Sequence, residues 1–140
     1  MSFKEIVKII EEQQASFVLL LCHRSADADA ICSAYGLQGL LKRFLPNIVV
    51  EIGCPQGINK PSKTLLDYMP ITVNLKPNIE SAEVIVLLDM NTIEQLDEVV
   101  DILRKSPAPK IKLTTMLQVQ KQWRYANYVL LMTKRLPTVN

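Results

Sequence analysis

Val18-Leu19-Leu20-Leu21-Cys22-His23-Arg24-Ser25-Ala26-Asp27-Ala28-Asp29-Ala30-Ile31-Cys32-Ser33-Ala34 is the stretch that decides the fold of this chain. It opens as an apolar run short enough for a buried strand and closes as the start of a helix. Between the two lies H-x-x-x-D-x-D, which places one imidazole and two carboxylates within seven residues. Open α/β sheets gather their ligands at the C-terminal ends of strands, so these three side chains are expected at the mouth of a site. Carboxylate oxygens suit hard divalent cations, and imidazole suits ions such as Mn, Fe, Zn or Co. His23, Asp27 and Asp29 are therefore candidate metal ligands. The plainer alternative makes the two aspartates helix caps. Capping needs one acceptor, however, and the segment supplies a histidine as well as two acids.

The pattern on either side extends this strand–helix unit. Apolar residues at Phe3, Ile6, Val7, Ile9 and Ile10 predict a helix over 2–14, with Ser2 and Glu5 at capping-box spacing. Phe17 to Cys22 is apolar throughout, as a strand covered on both faces must be. Asp27 to Leu45 reads as a helix whose buried stripe runs through Ile31, Ala34, Tyr35, Leu37, Leu41 and Phe44, with Lys42 and Arg43 suiting its C-terminal dipole. Small residues around Ala26 to Ala34 let its first turn approach a sheet closely. Pro46-Asn47 ends it.

Ile48 to Gly53 is a second strand and Cys54-Pro55-Gln56-Gly57 a turn. A short helix is expected from Ser62, as its cap, to Tyr68, followed by a short strand or extended loop over Pro70–Lys76. Ala82 to Leu88 is the next strand, again apolar on both faces. Asn91 or Thr92 would then cap a helix from Ile93 to Leu103, closed by Ser106-Pro107-Ala108-Pro109. Such alternation of helices and strands predicts an α/β fold, a parallel β-sheet flanked by helices.

Asp89 is the second candidate site residue. It ends an apolar strand just before a helix, which repeats the geometry at His23. If the two strands are neighbours, His23, Asp27, Asp29 and Asp89 converge. That set suits one or two Mn²⁺-like ions with a bridging carboxylate. No P-loop or dinucleotide-binding glycine pattern is present, and a single histidine excludes an H-E-x-x-H zinc site. Cys22 lies next to His23 in the strand, so its side chain points to the opposite face and belongs to the core.

The chain has 140 residues and a net charge of +2, a single-domain size with no strong overall charge to select a partner. Phe17 to Cys22 is too short for a signal-peptide core or a membrane span. Three cysteines without a C-x-x-C predict reduced thiols and a cytoplasmic protein rather than a disulfide frame. Charge is uneven along the chain. Residues 1–101 hold 14 acids and 8 bases, whereas residues 102–140 hold 8 bases and no acid.

H-x-x-x-D-x-D-A-x-x-S-A after a strand, followed by an apolar strand ending in Asp, resembles motifs I and II of the DHH-type (RecJ-like) phosphoesterases. The resemblance covers residues 17 to about 110. It implies a metal-dependent hydrolase of nucleic-acid or nucleotide phosphoesters that uses Mn²⁺, with Mg²⁺ or Co²⁺ as substitutes. His23 and Asp27 would hold one ion, Asp29 the second, and Asp89 would bridge them. Asp29 and Asp89 would be the catalytic carboxylates. The expected partner is a phosphoester substrate such as single-stranded nucleic acid or a short oligonucleotide. No membrane association and no particular oligomeric state are implied.

The family's third motif, Asp-His-His at the end of the next strand, is missing, because His23 is the one histidine in the chain. Where that motif is expected stands Lys112-Leu113-Thr114-Thr115-Met116-Leu117. These residues can be encoded AAA TTG ACC ACC ATG CTN. Read two bases on, the same bases give ATT GAC CAC CAT GCT, or Ile-Asp-His-His-Ala. One reading thus divides the chain into a DHH-type N-terminal domain over residues 1–111, carrying motifs I and II only, and a frameshifted, acid-free tail over 112–140, leaving the enzyme truncated and catalytically incomplete. A second takes the tail as a nucleic-acid arm, with Trp123, Tyr125 and Tyr128 stacking bases among Lys121, Arg124, Lys134 and Arg135. A non-enzymatic remnant, or a module that binds a metal or nucleotide without turnover, is the alternative function.

Overall fold

A computed structural model of the chain describes residues 2–113. The readings of the tail from Thr114 onward lie outside the described residues. The elements follow in the order α1 (Phe3–Glu12), β1 (Phe17–Cys22), α2 (Ala28–Phe44), β2 (Val49–Gly53), α3 (Lys60–Tyr68), β3 (Val84–Leu88), a 3₁₀ segment (Ile93–Val99), α4 (Val100–Lys105) and β4 (Lys110–Leu113). All strand pairs are parallel, and the sheet order is β2-β1-β3-β4. The expected α/β architecture is the observed one.

Each strand shows two apolar faces because each face of the sheet is covered. Val18, Leu20 and Cys22 of β1 join Val50, Ile52, Val84, Val86 and Leu88 beneath α1 and α2. Leu19 and Leu21 turn to the other face, with Ile85, Leu87, Leu96, Val100 and Leu103. Alternating side chains of one strand thus serve two cores. The first core is closed at the helix ends by Phe3 against Phe44, edge to face with centroids 5.2 Å apart. The Ser2–Glu5 capping box forms as expected.

Two local readings need correction. The cap of α3 is Asn59, whose side chain accepts from the Ser62 N–H; Ser62 itself is buried. Asparagine caps as well as serine does, and Pro61 fits the first turn, where its missing N–H costs nothing. Of the two forms expected for residues 70–76, the extended loop is the one observed, and it meets the sheet at a bridge between Gly53 and Asn74. Finally, the expected helix from Ile93 to Leu103 is broken at Asp97, whose φ is 43°. Contacts from other loops are made at this break. The Gln56 side chain donates to the Leu96 carbonyl, and Arg24 grips the Asp97 carboxylate.

Topology also fixes where a site can form. The chain leaves β1 for β2 on one side and returns to place β3 on the other. Their C-terminal ends therefore flank the switch point at which open parallel sheets bind ligands.

Candidate metal centre

Register brings the two motifs together. Cys22 lies opposite Leu88 across the β1–β3 ladder, so the next residues, His23 and Asp89, leave the sheet side by side. The Asp89 N–H is held by the Leu113 carbonyl of β4 at 2.8 Å, and the residue adopts a left-handed φ of 53°. Aspartate tolerates that conformation better than most residues do.

The turn after β1 is shaped by its neighbour. Ser25 N–H bonds to the Gln56 carbonyl, Ala26 N–H to the Gly57 carbonyl, and Asn59 N–H to the Ala26 carbonyl. The loop after β2 thus clamps the loop that carries His23 and Asp27. Gly57 has a φ of 80°, a backbone state that glycine adopts without strain.

Asp27 has two roles that the sequence presented as alternatives. Its Oδ1 accepts from the Ala30 N–H at 2.9 Å and caps α2. The same oxygen lies 3.8 Å from His23 Nε2. On the other side, Asp89 Oδ2 lies 3.7 Å from Nε2. One donor atom from each of the three residues falls within 4.8 Å of the others.

His23 Nδ1 sits 2.7 Å from the Arg24 carbonyl. A carbonyl can only accept, so Nδ1 carries hydrogen, and in the neutral ring Nε2 turns its lone pair toward the carboxylates. Metal-binding histidines are oriented in this way. Three acceptors facing one another could hold a cation between them. Imidazole nitrogen and carboxylate oxygen bind divalent ions such as zinc at about 2.0–2.2 Å, which places two donors on one ion roughly 3–4 Å apart. The two separations from His23 Nε2, 3.8 Å and 3.7 Å, fall in that range.

Electrostatics favour the same conclusion. Burial pushes the Asp89 carboxyl above its ordinary range, Asp27 and Asp29 push it further, and His23 opposes them. The cluster is thus short of positive charge. Asp29 lies exposed in the first turn of α2, outside the three-residue group but near enough to act on Asp89. Behind the cluster, Cys22 is fully buried. A hydrogen bond shared with Cys54, together with burial, keeps its thiol protonated, consistent with a core residue.

Residues that sequence reasoning did not single out complete the rim. Arg24 and Asp97 form an ion pair at 3.0 Å, and Gln56 links the loop after β2 to the 3₁₀ segment. Arg24 lay in view inside motif I. No local pattern signalled Gln56 or Asp97, because their partners are distant in sequence.

No protein-family model and no curated protein matches this chain. Among solved structures, it is similar to an exopolyphosphatase-related protein from Bacteroides fragilis, with 26% identity and a TM-score of 0.55. The likeness covers 78% of this chain and 33% of the neighbour, so this chain spans about a third of that protein's length. No helix among the described residues is long and apolar enough to cross a membrane. The likeness supports a phosphoesterase-related α/β fold.

Proposed function

We propose that this chain is the metal-holding α/β part of a phosphoesterase of the DHH (RecJ-like) type, acting on phosphoester bonds of nucleotides or nucleic acid with Mn²⁺ as its ion. The convergence of His23, Asp27 and Asp89 at adjacent strand ends carries this reading. The neighbour's description as exopolyphosphatase-related supports cleavage of a bond to phosphorus as the reaction class. His23, Asp27 and Asp89 would hold the first ion. Asp29 would reach a second, with Asp89 between the two. When bound, such ions polarise a phosphoryl oxygen and acidify water. The chain's own residues orient and exclude. The Arg24 carbonyl fixes the imidazole, the α2 cap fixes Asp27, and the β3–β4 ladder fixes Asp89. Without a cation, the carboxylates repel an anionic substrate.

With His23 the one histidine, this chain lacks the two histidines that the resemblance assigns to a metal and to the scissile phosphate. Loss of one electrostatic donor costs about 3–4 kcal/mol of transition-state stabilisation. The chain as it stands is therefore expected to bind Mn²⁺ with modest affinity and to hydrolyse little. Calorimetry with Mn²⁺, beside hydrolysis of bis-p-nitrophenyl phosphate, tests this. Mn²⁺ heat that is lost in Asp89→Ala, with negligible turnover, supports it. Robust turnover abolished by Asp89→Ala overturns the incompleteness, and no Mn²⁺ heat at all leaves the non-enzymatic remnant.

A further inference from the structure

Arg24 directly follows His23 at the end of β1, and the metal-holding role leaves its guanidinium unused. Its backbone carbonyl is the acceptor that fixes the His23 ring. Its Nη1 donates to Asp97 Oδ2 at 3.0 Å, while among the described residues Nε and Nη2 have no partner. The side chain is 69% exposed. The arginine is thus tethered at its backbone and at one corner of its fork, with the rest of the fork open to solvent.

Stability does not explain the pair. An ion pair this exposed contributes little, yet Asp97 holds a left-handed backbone that disfavours non-glycine residues. The carbonyl just before it is pinned by Gln56, so the Asp97 carboxylate is aimed by its surroundings. Chemistry supplies the reason. A phosphoryl substrate is an anion, and three carboxylates stand at the entrance. Arginine offers a planar fork that pairs with phosphate through two parallel hydrogen bonds.

We infer that Arg24 binds a non-bridging phosphoryl oxygen of the substrate beside the metal centre, and that Asp97 is a positioning residue that pre-orients its guanidinium. This inference rests on the metal-dependent reading given above. The probe is inorganic phosphate, titrated into the Mn²⁺-loaded 140-residue chain. The parent is compared with Arg24→Ala, Arg24→Lys and Asp97→Asn, each also titrated with Mn²⁺ alone and melted thermally. Arg24→Ala is expected to leave Mn²⁺ affinity within about twofold and to weaken phosphate by about tenfold or more, as loss of a charge-assisted fork should. Arg24→Lys restores part of the loss. Asp97→Asn weakens phosphate less than Arg24→Ala does.

A purely structural pair gives a different pattern. Arg24→Ala and Asp97→Asn would then lower the melting temperature alike and leave phosphate affinity unchanged, which overturns the inference. Failure of the Mn²⁺-loaded parent to bind phosphate overturns it as well. Failure of the parent to bind Mn²⁺ defeats the metal-dependent reading, and this inference with it. Intact Mn²⁺ binding with unaltered phosphate affinity in Arg24→Ala defeats this inference alone.

Discussion

Replacing Asp89 by asparagine separates the cost of the cluster from its use. Asparagine keeps the shape and adopts a left-handed φ at least as readily as aspartate, so the 53° backbone of this residue is preserved. The substitution removes one of two carboxylates whose oxygens lie within 4.8 Å. At that separation in water the repulsion is about 0.9 kcal/mol, and screening at physiological salt lowers it to about 0.5 kcal/mol. Both side chains are more than a third exposed, so the screened figure is the appropriate one.

Asp89→Asn should therefore raise the melting temperature of the metal-free protein by about 2 °C, given the usual sensitivity of a domain this size. Because the carboxyl is held above its ordinary range in the fold, its ionisation destabilises the protein. The penalty sets in as pH rises through the folded value and vanishes below the unfolded one, so the gap between variant and parent should close in acid. In Mn²⁺ at 100 times its dissociation constant, the parent should gain about 2.7 kcal/mol and the variant far less. Differential scanning fluorimetry with and without Mn²⁺, across pH, reads all three effects. A metal-free Asp89→Asn less stable than the parent would refute the electrostatic reasoning. A variant that keeps the full Mn²⁺ shift would refute the ligand assignment.

Other consequences follow from neighbouring contacts. A Cβ at Gly53 would stand 2.8 Å and 2.9 Å from the Pro77 ring atoms Cβ and Cγ, and 3.1 Å from Leu21 Cδ2. Gly53→Ala should cost about 1–3 kcal/mol in urea unfolding, and an unchanged midpoint would show that the loop gives way freely. Glu83 accepts from the Ser16 hydroxyl and N–H, which hold its carboxyl below the ordinary 4.5. Its contribution is present above that value and lost as pH falls through the lowered one. Glu83→Gln should lower the melting temperature at neutral pH and match the parent in strong acid; a gap that persists in acid would contradict this. If residues from about 112 onward are frameshifted, sequencing codons 112–117 should show bases that read Ile-Asp-His-His-Ala two bases on. That motif would begin beside Asp89, because the Leu113 carbonyl already bonds its N–H. Codons incompatible with that reading would end the frameshift account.

Much of the fold was legible because its signals are local. The apolar runs of β1 and β3 need no partner to be recognised, and both are followed by a candidate ligand. Small residues and Asp27 announce the start of α2. What the sequence concealed depends on distance. The alignment of Cys22 with Leu88, which makes His23 and Asp89 neighbours, is set by sheet register. The break at Asp97 carries no glycine or proline to announce it, and its partners Gln56 and Arg24 reach it from other loops. Ser62 and Asn59 offer equally good caps, and burial of Ser62 decided between them. The sequence set capping by Asp27 against ligation, whereas the oxygen that caps α2 is also the one that faces His23.

Crystals grown with Mn²⁺ and measured at the manganese absorption edge address the central claim most directly. The account predicts an anomalous peak bounded by His23 Nε2 and by the Asp27 and Asp89 carboxylates, and its loss in Asp89→Asn. A saturated crystal whose manganese lies elsewhere, or whose three side chains bind none, would contradict it.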